Sequence, residues 1–403
     1  MWCIHVYGLN SFLLLRSSDV RLGSLALQDC NQLISTGSRY RNLERCVASR
    51  NPFVTDSLTH RVLYTTTIRR VSWIFLIYFH SLEMFHHPKR VLAIQSHVVS
   101  GYVGSKCLVL PLNRLGFDVD VINSVQFSNN FGYPCVTGQI LSAEELDDLV
   151  NGLEKNDLLD LYTHMLTGYI GSTSMLQSIA KVVRELKVKN PQLVYMCDPV
   201  CGDNGELYAD PALPLAFEQV LLPLATIITP NQFEAELLTK MKISSVEDAS
   251  IACALLHEKG PSIVVITSIE LPEKDGIITV FTSAAGTDGA QSVFSIDVPK
   301  IDEHFLGTGD LFASLLLGWM DRYPENLPLA MELAVGGLQA VLHDTSEKAS
   351  KALKKLADIG KMPEKGDMTW WKCRELRLVD NQDKILCPEI CQRATHVSCC
   401  TSA

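Results

Sequence analysis

The residues best suited to chemistry are Gly307-Thr308-Gly309-Asp310, followed at once by the apolar run Leu311-Phe312-Ala313-Ser314-Leu315-Leu316-Leu317. Two glycines around a threonine let backbone amides converge at a helix start, and such amides, helped by the helix dipole, hold an anion. Asp310 closes the group as a carboxylate favoured by that dipole and placed to accept a proton from an attacking hydroxyl. Phosphoryl transfer to an alcohol is the reaction this turn suits. An ordinary capped helix can carry the same four residues, so the turn alone leaves both readings open.

Two further groups bear on the choice. Asp198-Pro199-Val200-Cys201-Gly202-Asp203 follows an apolar run and offers clustered carboxylates of the kind a hard cation takes, directly or through water. An Asx turn would account for Asp198 and leave Asp203 unexplained. In Thr229-Pro230-Asn231-Gln232-Phe233-Glu234-Ala235-Glu236, Pro230 fixes the entry to a helix and Asn231 can cap it. Glu234 then lies one turn in, able to orient a metal-bound water while Thr229 and Asn231 reach phosphate oxygens.

These groups need a scaffold, and the pattern from Arg90 supplies one. Apolar runs of strand length, at 91–95, 119–122, 165–166, 193–197, 226–228 and 263–266, alternate with helix-length amphipathic segments at 104–115, 142–155, 173–189, 231–239 and 246–259. Ser142-Ala143-Glu144-Glu145 is a capping box, and 277–282 with 292–298 reads as an antiparallel pair. The alternation predicts an α/β fold with a largely parallel sheet covered on both faces. Its ligand belongs at the carboxyl ends of the strands, where Gln95-Ser96-His97, Thr167-Gly168-Tyr169, Asp198, Thr229-Pro230-Asn231 and Thr267-Ser268 fall. His97 reads as a structural hydrogen bonder there, and Trp370-Trp371 as packing for the C-terminal segment.

Composition narrows the partners. The 403 residues carry a formal net charge of −10, which leaves no basic field for nucleic acid or an anionic membrane, and 47% hydrophobic with 20% charged residues is an ordinary globular balance. The thirteen cysteines lack paired metal spacing, and Cys107, Cys197 and Cys253 fall in apolar runs, which fits reduced thiols in a cytosolic setting. Residues 1–88 contain no lysine and no sustained period, and are expected to be an unstructured or spurious extension. Their arginine, serine and threonine bias is similar to that of an organelle transit peptide, but without a clean amphipathic pattern, so cytosol is the expected location. The run Trp73–Phe79 is shorter than the ~20 residues a membrane span needs.

From 89 to 390 the chain resembles the pyridoxal kinase family of the ribokinase-like superfamily, and its plant branch in Gly202-Asp203-Asn204-Gly205-Glu206-Leu207-Tyr208. The motifs are Ile94-Gln95-Ser96-His97-Val98, Gly101-Tyr102-Val103-Gly104, Asn123-Ser124-Val125-Gln126-Phe127-Ser128-Asn129, Leu166-Thr167-Gly168-Tyr169, Cys197-Asp198-Pro199-Val200, Thr229 to Glu236, Val265-Ile266-Thr267-Ser268 and Gly307-Thr308-Gly309-Asp310. The resemblance implies a three-layer ribokinase-like fold, a homodimer, and ATP-dependent phosphorylation of the 5′-hydroxymethyl group of pyridoxal, pyridoxine or pyridoxamine. It further implies Asp310 as base; Ser96, Val103, Val125, Phe131 and Tyr169 around the vitamin; and Asp198, Asn231, Thr267, Ser268, Gly307, Thr308 and Gly309 on the nucleotide and its phosphates. Asp203, Thr229 and Glu234 would serve Mg²⁺ and a monovalent cation, K⁺ or Na⁺.

Two departures stand out. Where the family has His-Thr-Gly-Tyr after Asn129, this chain has Asn130-Phe131-Gly132-Tyr133, and Phe131 cannot donate the threonine's side-chain hydrogen bond. Its backbone can still contribute and its ring can stack on the pyridine. Residues 391–403 show no family pattern and are expected to be a disordered tail. A kinase for another small alcohol, such as hydroxymethylpyrimidine, and a catalytically weakened vitamin-binding protein remain the alternatives.

Overall fold

In the computed structural model the described residues are 89–208, 210–286 and 291–397. The expected extension at 1–88 lies outside them. Among the described residues no helix is long and apolar enough to cross a membrane.

The chain forms strands β1 (Lys89–Val98), β2 (Phe117–Phe127), β3 (Gly138–Ile140), β4 (His164–Thr167), β5 (Val194–Cys197), β8 (Ile227–Ile228), β9 (Ile263–Ile269), β10 (Ile277–Ala285), β11 (Gln291–Pro299) and β12 (Thr395–His396) of one sheet; β6 (Gly202–Asp203) and β7 (Glu206–Leu207) make a small separate hairpin. The large sheet runs β12-β11-β10-β9-β8-β5-β4-β1-β2-β3. Its six central strands, from β9 to β2, are parallel, with antiparallel strands on both flanks.

Successive residues of β1 point to opposite faces. Leu92 and Ile94 enter one core, and Val91 and Ala93 the other, so both faces of the strand must be covered. On the first face lie α2 (Ala143–Lys155), α3 (Thr173–Lys189), α4 (Gln232–Thr239) and α5 (Val246–His257). On the second lie α1 (Ser105–Arg114), α6 (Thr308–Arg322) and α7 (Leu327–Asp358). Every residue of α6 from Leu311 to Trp319 is buried, as suits a helix packed on several sides. Starts are fixed locally: Ser142 and Glu145 form the expected capping box, and Ser172 accepts from Met175 N–H.

Two expectations change. The polar stretch after Ile122 does not leave the sheet, because one extra residue, Ser124, bulges out and lets Val125 pair with Ser96, extending β2 to Phe127. Residues 391–397 join the fold: Thr395–His396 pairs with Ser295 and Phe294 of β11, and Glu332 of α7 holds Arg393 and the Ala394 N–H at 2.7 and 2.9 Å; the rest of the expected tail lies outside the described residues. An unsatisfied sheet edge and a nearly buried carboxylate recruit this segment.

Candidate active site

The strand order reverses at β1, which has β2 on one side and β4 on the other, and a doubly wound sheet opens its ligand crevice at such a point. Gln95, wholly buried within the last four residues of β1, spans it. Its Oε1 accepts the N–H groups of Ser96 at 3.0 Å and of Tyr169, just past β4, at 3.1 Å, while Nε2 donates to Oδ1 of Asp310 at 3.1 Å. The close approach requires glycine at 168, where a Cβ would stand 2.1 Å from Nε2 of Gln95. Ser124, the bulged residue, donates to the carbonyl of Tyr169 at 2.8 Å, so β2 and β4 are tied at the same level.

Asp310 sits in the first turn of α6, and its second oxygen accepts the Gly104 N–H at 2.7 Å. Gly307 ends the preceding loop with φ +81°, and a Cβ there would stand 2.4 Å from the Tyr102 carbonyl. A side chain at 307 would therefore both strain the backbone and push the turn off the 102–104 loop. Burial lifts the Asp310 carboxyl above its ordinary value, and the Gly104 N–H draws it partly back. The result is a fixed base of raised proton affinity beside converging amides.

Asp198, at the end of β5, is buried and accepts from the Thr229 hydroxyl at 3.1 Å. A Cβ on Gly309 would lie 3.9 Å from its Oδ2, which places this carboxylate against the glycine turn. Desolvation pushes Asp198 well up, and the charges of Glu234 and Asp310 add to the effect. Three buried carboxyl groups thus interact, each with its proton affinity raised, and a divalent cation would favour their ionised forms.

The structure brings Ser96, Val103, Val125, Tyr169, Asp198, Thr229, Gly307, Thr308, Gly309 and Asp310 to the ends of β1, β2, β4, β5 and β8 and the α6 turn. Thr267 and Ser268 lie within β9, which extends to Ile269, and Thr267 N–H donates to the Pro230 carbonyl at 2.9 Å.

Several of these side chains are also engaged within the protein. Glu234 is held on both oxygens: its Oε1 accepts from Cys201 and Gly202 N–H at 3.0 and 3.4 Å, and its Oε2 from Asn231 N–H at 2.9 Å. Asn231 spends its side chain likewise, capping α4 by accepting from Glu234 N–H and donating to the Gly202 carbonyl, both at 2.8 Å. Asp203 turns onto Asn204, taking its N–H and side-chain amide at 2.8 and 3.0 Å. The Phe131 ring is 69% exposed and meets Phe127 edge-on at 5.3 Å.

Sequence reasoning missed Gln95 as the partner of Asp310; only its position towards the carboxyl end of β1 and the glycine at 168 hinted at it. His97 bonds Ser105 through Nδ1 at 2.8 Å, the structural role expected.

The model described as phosphomethylpyrimidine kinase matches residues 160–353. A pyridoxal kinase of Arabidopsis thaliana is 48% identical over 319 residues, spanning 79% of this chain and 98% of the relative. The chain belongs to the pyridoxal kinase family. The human pyridoxal kinase is 43% identical over 316 residues, again spanning 98% of the relative. A solved pyridoxal kinase from Leishmania donovani in complex with ADP and pyridoxamine superposes with a TM-score of 0.69 at 32% identity, covering 77% of this chain and all of that one. Pyridoxal kinases therefore share the ribokinase-like sheet seen here, and the motifs that carry the resemblance all fall on its carboxyl edge.

Proposed function

We propose that this chain transfers the γ-phosphoryl group of ATP to the 5′-hydroxymethyl group of pyridoxal, pyridoxine and pyridoxamine. One observation carries the reading: Asp310, held through both oxygens by Gln95 and Gly104, stands at the switch-point crevice beside the Gly307–Gly309 turn. Fixed in that way, Asp310 takes the alcohol proton as the oxygen attacks phosphorus in line, and the turn's amides receive the charge that develops on the phosphoryl oxygens. Ser96 and Tyr169, positioned by Gln95, would contact the vitamin with Val103 and Val125; Thr267 and Ser268 would line the nucleotide side.

The buried acid pocket fits Mg²⁺. Asp198 and Thr229 would hold it, Glu234 would set the Cys201–Gly202 backbone behind them, and the ion would supply neutralisation of phosphate charge. Thr229 and Asp203 are the residues closest in chemistry to what a K⁺ or Na⁺ site needs. A homodimer is supported by the β3 edge, where exposed Ile140 and Leu149 border an open groove of about 910 Å³ lined with Leu153 and Leu158.

The match to the phosphomethylpyrimidine kinase model favours a second reading, a kinase for hydroxymethylpyrimidine. Purified protein with ATP and Mg²⁺, offered each alcohol in turn, decides between them. Phosphorylated pyridoxal with little phosphorylated pyrimidine supports the proposal, and the reverse preference refutes it.

A further inference from the structure

We propose that Glu375 is a positioning residue for the vitamin side of the site, bracing from behind the two loops that carry Val103 and Phe131; this rests on the vitamin-kinase reading above. The residue follows α8 (Met368–Cys373), far in sequence from every motif. Its Oε2 accepts the Tyr102 N–H at 2.9 Å, and its Oε1 accepts from the Asn130 side-chain amide at 3.1 Å and the Tyr133 hydroxyl at 2.9 Å. One carboxylate thus gathers three donors from two loops, and hydrogen bonds to an ionised acceptor are the strong kind.

The surroundings are shaped to admit it. Gly101 has φ +96°, and a Cβ there would stand 2.7 Å from Oε1 of Glu375. Asn130 is buried, and its Oδ1 accepts the Gly132 N–H at 3.0 Å, which fixes the amide with its donor end towards Glu375. Trp371 closes over Gly132, where a Cβ would meet the indole at 2.8 Å. Arg374 pairs with Glu303 at 3.1 Å, so the same segment also holds the loop leading into Gly307.

The brace reaches the reacting end through one residue. Tyr102 gives its N–H to Glu375 and rests its carbonyl against Gly307, and Gly104, two residues on, donates to Asp310. On the other loop, Asn130 and Gly132 are fixed on either side of Phe131, so its backbone is held although its ring is exposed. Removing the carboxylate frees both loops at once and should weaken vitamin binding while leaving the nucleotide side intact.

Steady-state kinetics with pyridoxal and ATP varied separately test this on wild type, Glu375→Ala, Glu375→Gln and Tyr133→Phe. Glu375→Ala should raise the KM for pyridoxal about tenfold or more, with the KM for ATP within about twofold. Glu375→Gln, which keeps one acceptor oxygen, should recover part of the loss. Tyr133→Phe should raise the pyridoxal KM a few-fold and add nothing in the Glu375→Ala background, because both changes break one network. Should Glu375→Ala fail to fold, the other two variants carry the test. An unmoved pyridoxal KM, or an equal rise for both substrates, overturns the brace while wild-type turnover of pyridoxal stands; wild-type protein inert towards pyridoxal overturns both readings.

Discussion

Nε2 of Gln95 donates to Oδ1 of Asp310 at 3.1 Å across 215 positions of sequence. The amide cannot turn over to offer its oxygen instead, because Oε1 already accepts from Ser96 and Tyr169. Gln95 therefore sets the orientation of the base and the spacing of the two strand ends around it.

Replacing it separates position from charge. Gln95→Leu should lower kcat by about 10- to 100-fold through misplacement of Asp310. It should also destabilise the fold by about 1–3 kcal/mol for each N–H left without an acceptor. Gln95→Glu sets a second carboxylate against Asp310, and a like charge raises a carboxyl already lifted by burial. The acid limb of the kcat/KM profile should then move to higher pH. A limb that stays put would show that Gln95 does not touch the functional base.

Asp198 gives a pH test with a definite sign. Its folded-state carboxyl is raised well above the ordinary 3.8, so the folded protein binds the extra proton, and the stability tied to this group is full below 3.8 and lost as pH rises through the raised folded value. Glu234 behaves alike, pushed up to about 7 by burial. Asp198→Asn keeps an oxygen for the Thr229 hydroxyl and removes the charge. The variant without ligand should therefore gain more in Tm over wild type at pH 8 than at pH 5, and should lose most of the stabilisation that ATP with Mg²⁺ gives. A gain that shrinks with rising pH would contradict the assignment.

At Phe131 the ring contributes little, being mostly in solvent against Phe127. Phe131→Ala should leave the pyridoxal KM within about twofold, since an exposed contact carries little energy. Phe131→Thr, which restores a hydroxyl on a loop whose backbone is already fixed, should lower it about 2- to 10-fold, the worth of one net hydrogen bond. A higher value for the threonine variant would refute this account of the loop.

Much of the molecule could be read before any coordinates. Apolar runs of strand length placed the parallel strands, the Ser142 capping box placed α2, and the glycine turn at Gly307 placed the start of α6, because each depends on neighbours within a few residues. What stayed hidden depends on distant partners. Gln95 looks like any strand-end polar residue until Asp310 is folded against it, and Glu375 shows nothing in sequence because its donors lie 242 to 273 positions away. The bonds of Asn231 and Glu234 to the Cys201–Gly202 backbone were equally hidden, because that backbone lies about thirty positions away from them. The Ser124 bulge lies at the same limit, since pairing with β1 decides it.

The central claim is that Asp310 takes the proton of the vitamin alcohol while the amides beside it receive the phosphoryl group. Single-turnover transfer from ATP to pyridoxal by Asp310→Asn, with nucleotide affinity measured alongside, tests it most directly. Transfer should fall by about 10²- to 10⁴-fold, the usual worth of a positioned base, with ATP affinity within a few-fold of wild type. Transfer at the wild-type rate would contradict it.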